Sequence, residues 1–565
     1  MAPAKILILV NLHCRSISSL NLGREVTRTY VEKIQSMGII ATAKHYVNNE
    51  QEHDRLNHSV IIDERTAWEL YYQPFMAAVE AGVLSVMCSF NKVNGVFACE
   101  NNETLNTILK GKMGFKGFVM SDWLAAHSTK ESALHGLDQE MPGPIYFGDA
   151  LKAAVESGDV PQSVLNGMVH RILYSMFMIG IFDRPQTGEF TANVTSDAHY
   201  AVARKAAAAS TVLLKNDGQV LPINEKNVTT IAVLGDGAFD PVVWGGGSGY
   251  VPIAHVVSAL EGIRARVANT TIKVVYAGTK PFSEAVAVAE SADIALVFTG
   301  VSATEELDRK NLSLPADDDA LIKVVAAVNP RTVAIVTSPG AFLMPWADEV
   351  PVIIAALMPG EQFGHSITDV LFGDVNPSAR LPITLPNKEN EVGFTQSQYP
   401  GIELETNYTE GLFIGYRWYD QFNITPKFAF GHGLSYTTFQ YDKVAGFLDE
   451  NSEKREEIAI LVNITNTGSV AGAEVAQLYL GYPDSAEEPP KVLRGIRKVF
   501  LQPGESVEVR FNMTNQSLLI WDVESHDWTV VPGDYKVMVG ASSRDIRLVG
   551  SFKVDENKKI EDIEF

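Results

Sequence analysis

Through its first 185 residues the chain alternates strand-like and helix-like pieces. Short apolar runs at 39–43, 84–88 and 118–121 read as strands, with a shorter one near 140–141; 66–81 and 102–110 read as helices between them. Such alternation predicts parallel strands joined by crossover helices. About four units of this kind are visible, where a closed barrel has eight. Phe182-Asp183-Arg184-Pro185 ends a helix and opens a polar linker reaching about residue 198. A second β/α series follows, with strands at 231–234, 272–276, 294–299, 333–337 and 352–357 and helices at 283–292, 318–328 and 362–371. This reads as an open sheet covered on both faces. From about residue 430 the period falls to two. Val507, Val509, Phe511 and Met513 share one face, as do Tyr535, Val537 and Val539, and Pro503-Gly504 and Pro532-Gly533 mark turns. A small antiparallel sandwich fits. The charged stretch 555–565 reads as loose.

Composition narrows the function. Against 46 Lys and Arg stand 68 Asp and Glu, a net charge of -22. That surface repels nucleic acid and anionic membranes but is indifferent to neutral sugars. No apolar run reaches the ~18 residues that span a bilayer. The run Ile6-Leu7-Ile8-Leu9-Val10 is shorter than a signal core, lacks a small-x-small cleavage site and reads as a strand. Cys88 and Cys99, 11 apart, flank a loop: either a disulfide or two buried thiols. Asn-x-Ser/Thr sequons stand at Asn57, Asn102, Asn193, Asn227, Asn269, Asn311, Asn407, Asn423, Asn463, Asn512 and Asn515, which leans toward a secreted glycoprotein. Without a leader, that points to a missing N-terminus.

Reactive groups in parallel β/α domains sit just past strand ends. Three places qualify: Lys44-His45, Ser89-Phe90-Asn91 and Asp122-Trp123. A carboxylate beside an indole suits a sugar site. The bland alternative has Asp122 capping the next helix and Trp123 in the core. Gly235-x-Gly237 is not a dinucleotide fingerprint, because Asp240 stands where the third glycine belongs, and the run 245–249 lacks the Lys-Ser/Thr of a phosphate loop.

The runs G-I-I-A-T-A-K-H-Y-V-N-N-E-Q-E-H-D-R, V-M-C-S-F-N-K-V-N-G and G-F-V-M-S-D-W-L-A-A-H are followed in order by L-L-K-N-D-G-Q-V-L-P-I, E-E-L-D-R-K-N-L-S-L-P, E-G-L-F-I-G-Y-R-W-Y-D and F-G-H-G-L-S-Y-T-T-F. Together they resemble the family-three glycoside hydrolases, the β-glucosidase family, over residues 25–553. The resemblance implies an α/β architecture: a partial (β/α)8 TIM-type barrel over 1–185, an α/β sandwich over 186–429, a fibronectin type III-like β-sandwich over 430–553 and a charged tail over 554–565.

Carried over residue by residue, Asp122 matches the family's nucleophile, Lys44 and His45 the pair that binds sugar hydroxyls, Arg55 the arginine closing that subsite, and Trp123 its stacking platform. Glu305 aligns with the acid/base glutamate and Glu306 with a glycine; a one-place shift to Glu306, or an ordinary acidic loop, stays open. Ser248 is either a weak sugar ligand or part of a flexible turn. The implied reaction is double displacement with retention, the carboxyls about 5–5.5 Å apart. It needs neither metal nor organic cofactor. The substrates the resemblance implies are small β-linked gluco-oligosaccharides or aryl and alkyl glucosides, as in cellulose or β-glucan breakdown; Trp123 after Asp122 modestly favours glucosides over xylosides.

Two departures qualify this. Phe90 stands where many members have a tyrosine whose hydroxyl contacts the nucleophile, so some loss of rate is expected. Only 43 residues precede Lys44, fewer than family barrels carry. The expectation is therefore a half-walled site of doubtful activity, with open sheet edges that invite pairing with another chain, as in a homodimer. A non-catalytic carbohydrate-binding or structural protein, or an incomplete reading frame, are the alternatives.

Overall fold

The structure, a computed structural model, describes residues 8–11, 20–184, 189, 191–251, 253, 255–449 and 457–564. Positions 6–7 of the first apolar run, 185–188 and 190 of the linker, and 565 of the tail lie outside the described residues. The chain forms two compact units. The first joins Met1–Ala192 to Gly393–Ile414 and Ile520–Thr529; the second holds the rest.

The first unit is built on a parallel sheet of Ile8–Asn11, Ala41–Tyr46, Ser85–Cys88 and Phe118–Ser121, each strand beside the next in the chain. Leu20–Ser36, Gln73–Glu80 and Glu103–Lys112 are the helices between them. Alternate residues face opposite ways, as the pleat requires. Ala41, Ala43, Val86 and Val119 enter the main core, while Met87, Phe118 and Met120 form a separate cluster with Met141 and Ile172.

The strand expected near 140–141 is absent. Only a single bridge, Met120 to Gln139, is made. Pro142 offers no N–H to extend it, and Glu140 turns its carboxylate to the backbone N–H groups of Ile145, Tyr146 and Phe147. Just upstream, Asp138 accepts from Val119 N–H and pairs with Lys110 and Arg171, which ties the loop to the sheet.

The two distant segments add to the same core. Glu405–Asn407 pairs in parallel with Ser59–Ile61. Trp521 stacks on Trp68 with centroids 4.2 Å apart, its backbone N–H donates to Glu69 at 2.8 Å, and the Lys112 ammonium lies 4.9 Å above its ring.

In the second unit, six strands run in the order Lys273–Ala277, Thr230–Leu234, Ile294–Gly300, Thr332–Thr337, Val352–Ala356 and Val212–Asn216, the last antiparallel. Both faces are buried: Ala232, Val297 and Val336 on one side, Val233, Leu296 and Ile335 on the other. That explains unbroken apolar runs instead of alternation. The crossovers diverge between Thr230–Leu234 and Ile294–Gly300, so the crevice at their carboxyl ends is the sheet's switch point.

The same unit carries a β-sandwich. A three-stranded sheet (Phe439–Asp449, Glu457–Asn466, Ser506–Met513) faces a five-stranded one, with Val509, Phe511 and Met513 packing against Tyr535, Val537 and Val539. The tail corrects the sequence reading. Ile560–Glu564 is a fifth strand paired with Ile546–Val554, because Ile560 and Ile563 pack into the sandwich core.

Candidate active site

In the first unit the charged residues converge at the carboxyl edge of the parallel sheet. The register between Ala41–Tyr46 and Ser85–Cys88 breaks between Ala43 and Tyr46, so Lys44 and His45 lie inside the strand at an irregularity, not beyond its end as the sequence suggested. Bulges of this kind re-aim side chains. His45 Nε2 lies 3.2 Å from Asp122 Oδ2. Asp122 itself follows the Phe118–Ser121 strand; its N–H donates to Cys88 carbonyl at 3.1 Å, and its Oδ1 accepts from Trp123 N–H at 2.7 Å.

The alternative of a cap and a core tryptophan fails here. The next helix begins at Lys130 and is preceded by Thr129, and Trp123 is 46% exposed. Asp122 and Lys44 are 8% and 9% exposed, so each of these ionisable side chains is largely withdrawn from water. Arg55, equally buried, pairs with Glu52 at 3.1 Å. Asn48 and Leu124 hold left-handed backbones, φ 65 and 66, which cost about 1–3 kcal/mol each and cluster at functional sites. Asparagine tolerates this conformation, but nothing in the sequence marks it at Leu124. Cys88 and Cys99 are joined in a disulfide that closes the loop after the third strand.

In the second unit, Glu305 sits at the switch point. Thr304 bridges to Gly246 on one side and to Leu307 on the other, so residues 304–307 form a tight turn with Glu305 and Glu306 at its tip. Glu305 Oε2 accepts from Ser248 N–H at 2.6 Å. Ser248 thus meets Glu305 through its backbone, its side chain being exposed. The glycines are a requirement of this approach. A Cβ on Gly247 would stand 2.3 Å from Glu305 Cβ, and one on Gly246 2.4 Å from Thr304 Oγ1. An opening of about 480 Å³, lined by Trp244, Val301, Thr304, Leu307 and Arg309 among others, borders the turn.

Glu306 has φ 73, a conformation that favours glycine. That is the backbone expected where Glu306 stands in a glycine's place. Glu306→Gly is expected to stabilise the protein by about 0.5–1 kcal/mol, the left-handed penalty less the added entropy of an unfolded glycine. Denaturant unfolding measures this, and a lower midpoint would contradict it.

Comparison with known proteins gives the family. Residues 17–174 match the glycosyl hydrolase family 3 N terminal domain, 211–436 the family's C-terminal domain and 474–543 a fibronectin type III-like domain. The chain belongs to glycosyl hydrolase family 3. It is 39% identical to a probable beta-glucosidase L of Aspergillus terreus over 93% of this chain and 78% of the relative. It is 36% identical to thermostable beta-glucosidase B of Acetivibrio thermocellus, over 95% and 72%. The crystal structure of a beta-D-glucoside glucohydrolase from Trichoderma reesei superposes with a TM-score of 0.91 at 35% identity, over 97% of this chain and 85% of that one. The doubt about activity drawn from the short stretch before Lys44 is not borne out, since the hydrolase relatives align along nearly all of this chain. These relatives lend nothing to a non-catalytic reading.

Proposed function

We propose that the chain is a retaining β-glucosidase that releases glucose from the non-reducing end of small β-linked gluco-oligosaccharides and aryl or alkyl glucosides. One observation carries this reading: Asp122 is held at a strand end by His45 and the Trp123 N–H, with the Trp123 indole open beside it. Asp122 attacks the anomeric carbon, and Glu305 protonates the departing oxygen. Glu305 then takes a proton from water as that water releases the glucosyl group from Asp122. Lys44, His45 and Arg55 bind the sugar's hydroxyls, and Trp123 packs against its apolar face.

Charge fits the substrate class, because a net charge of -22 does not repel a neutral glucoside. Breakdown of cellulose or β-glucan fragments outside the cell belongs to the same proposal, supported by the sequons; Asn193, Asn269 and Asn423 are exposed.

The test is proton NMR of an aryl β-glucoside during early turnover. β-Glucose is expected as the first product, relaxing later to the anomeric mixture. α-Glucose first, or no turnover, would sink the proposal.

A further inference from the structure

Phe90 lies in a segment fixed from both sides. Ser89 N–H donates to Tyr46 carbonyl at 2.8 Å, and Ser89 Oγ and Asn91 Nδ2 both donate to Val47 carbonyl. Ala98 N–H returns to Asn91 carbonyl, and the Cys88–Cys99 disulfide closes the loop on either side of the ring. So the ring's support is pinned to the end of the strand that carries Lys44 and His45. The ring itself is 6% exposed.

Its face is occupied. The Arg55 guanidinium carbon lies 4.7 Å from the Phe90 centroid, and the same guanidinium meets Glu52 at 3.1 Å. A cation over an aromatic face is attracted by the ring quadrupole, more strongly where water is excluded. A flat ring also restrains a planar guanidinium in a way a carboxylate alone does not, because the carboxylate leaves rotation about the side chain's last bonds.

We infer that Phe90 is a positioning residue for Arg55: the immobile ring and Glu52 together aim the guanidinium at the glucosyl subsite. The inference rests on Arg55 binding the sugar, as in the proposed function. It gives Phe90 a task independent of any hydroxyl, and a tyrosine there would perform it equally well. The contribution is to binding, so it belongs in KM and in inhibitor affinity more than in kcat.

The experiment compares Phe90→Leu and Phe90→Tyr in the full chain. KM and kcat are measured with an aryl β-glucoside, and affinity for 1-deoxynojirimycin, a glucose-shaped amine, by titration calorimetry. Phe90→Leu is expected to raise both KM and the inhibitor's Kd about tenfold, with kcat changed less than about threefold. Phe90→Tyr keeps the face and should hold both constants within about twofold of the parent. In an Arg55→Ala background, Phe90→Leu should add nothing. Unchanged KM and Kd in Phe90→Leu, or an equal rise in the Arg55→Ala background, would overturn the inference while leaving the glucosidase reading intact. A parent chain that neither turns over the glucoside nor binds the inhibitor overturns both.

Discussion

Asp122→Asn is expected to lower turnover of an aryl β-glucoside by at least about three orders of magnitude while the protein stays folded. An amide cannot form the glucosyl ester, so the first displacement stops. The shape survives the change: the amide oxygen can still accept from Trp123 N–H, the bond made by Asp122 at 2.7 Å, and the backbone bond to Cys88 is untouched. Steady-state kinetics beside circular dichroism and thermal unfolding separate chemistry from folding. Activity within about tenfold of the parent would remove Asp122 from the nucleophile's place.

Glu305→Ala has a second large effect, distinguished by its dependence on the leaving group. Loss of a general acid costs about 10²–10⁴ in rate when the departing oxygen needs a proton. Cellobiose and alkyl glucosides should suffer that loss in full. A dinitrophenyl glucoside leaves without help and forms its intermediate at close to the parent rate, and azide then takes the place of water without needing a base. Accumulation of β-glucosyl azide is the diagnostic product. Glu306→Ala, at the exposed left-handed position, should show neither effect; azide rescue there in place of Glu305 would move the acid/base by one residue.

What the sequence makes legible follows from how each element is buried. Ile294–Gly300 and Thr332–Thr337 are apolar on both faces, and their runs stand out with nearly correct limits. Val212–Asn216 does not stand out as a strand, since only its first three residues are buried before Lys215 and Asn216 turn polar. The helix Ala259–Val267 is hidden by Gly262 and by Arg264 and Arg266. Gly262 is there because a Cβ would stand 2.2 Å from Gly364 carbonyl oxygen on the neighbouring helix. Its reason is a tertiary contact that no local pattern reveals.

The candidate site divides the same way. Asp122, Lys44 and His45 can be picked out because strand ends are where such folds keep chemistry. Their mutual geometry cannot, because it depends on a register break and on two left-handed residues, Asn48 and Leu124. Glu52 gives no signal at all, as a carboxylate three residues from an arginine is commonplace on exposed turns.

The first unit draws on three stretches of chain, and the last is the segment carrying Trp521. During synthesis the nascent chain therefore presents Trp68, Tyr71 and Tyr408 long before Trp521 and Trp528 leave the ribosome to cover Trp68. Non-local closure is slow because the loop must be ordered before the contact rewards it. Asp122 is among the early residues made, yet the core of its unit is completed only with Trp521, so shortening the gene from its 3′ end would damage the unit encoded at its 5′ end.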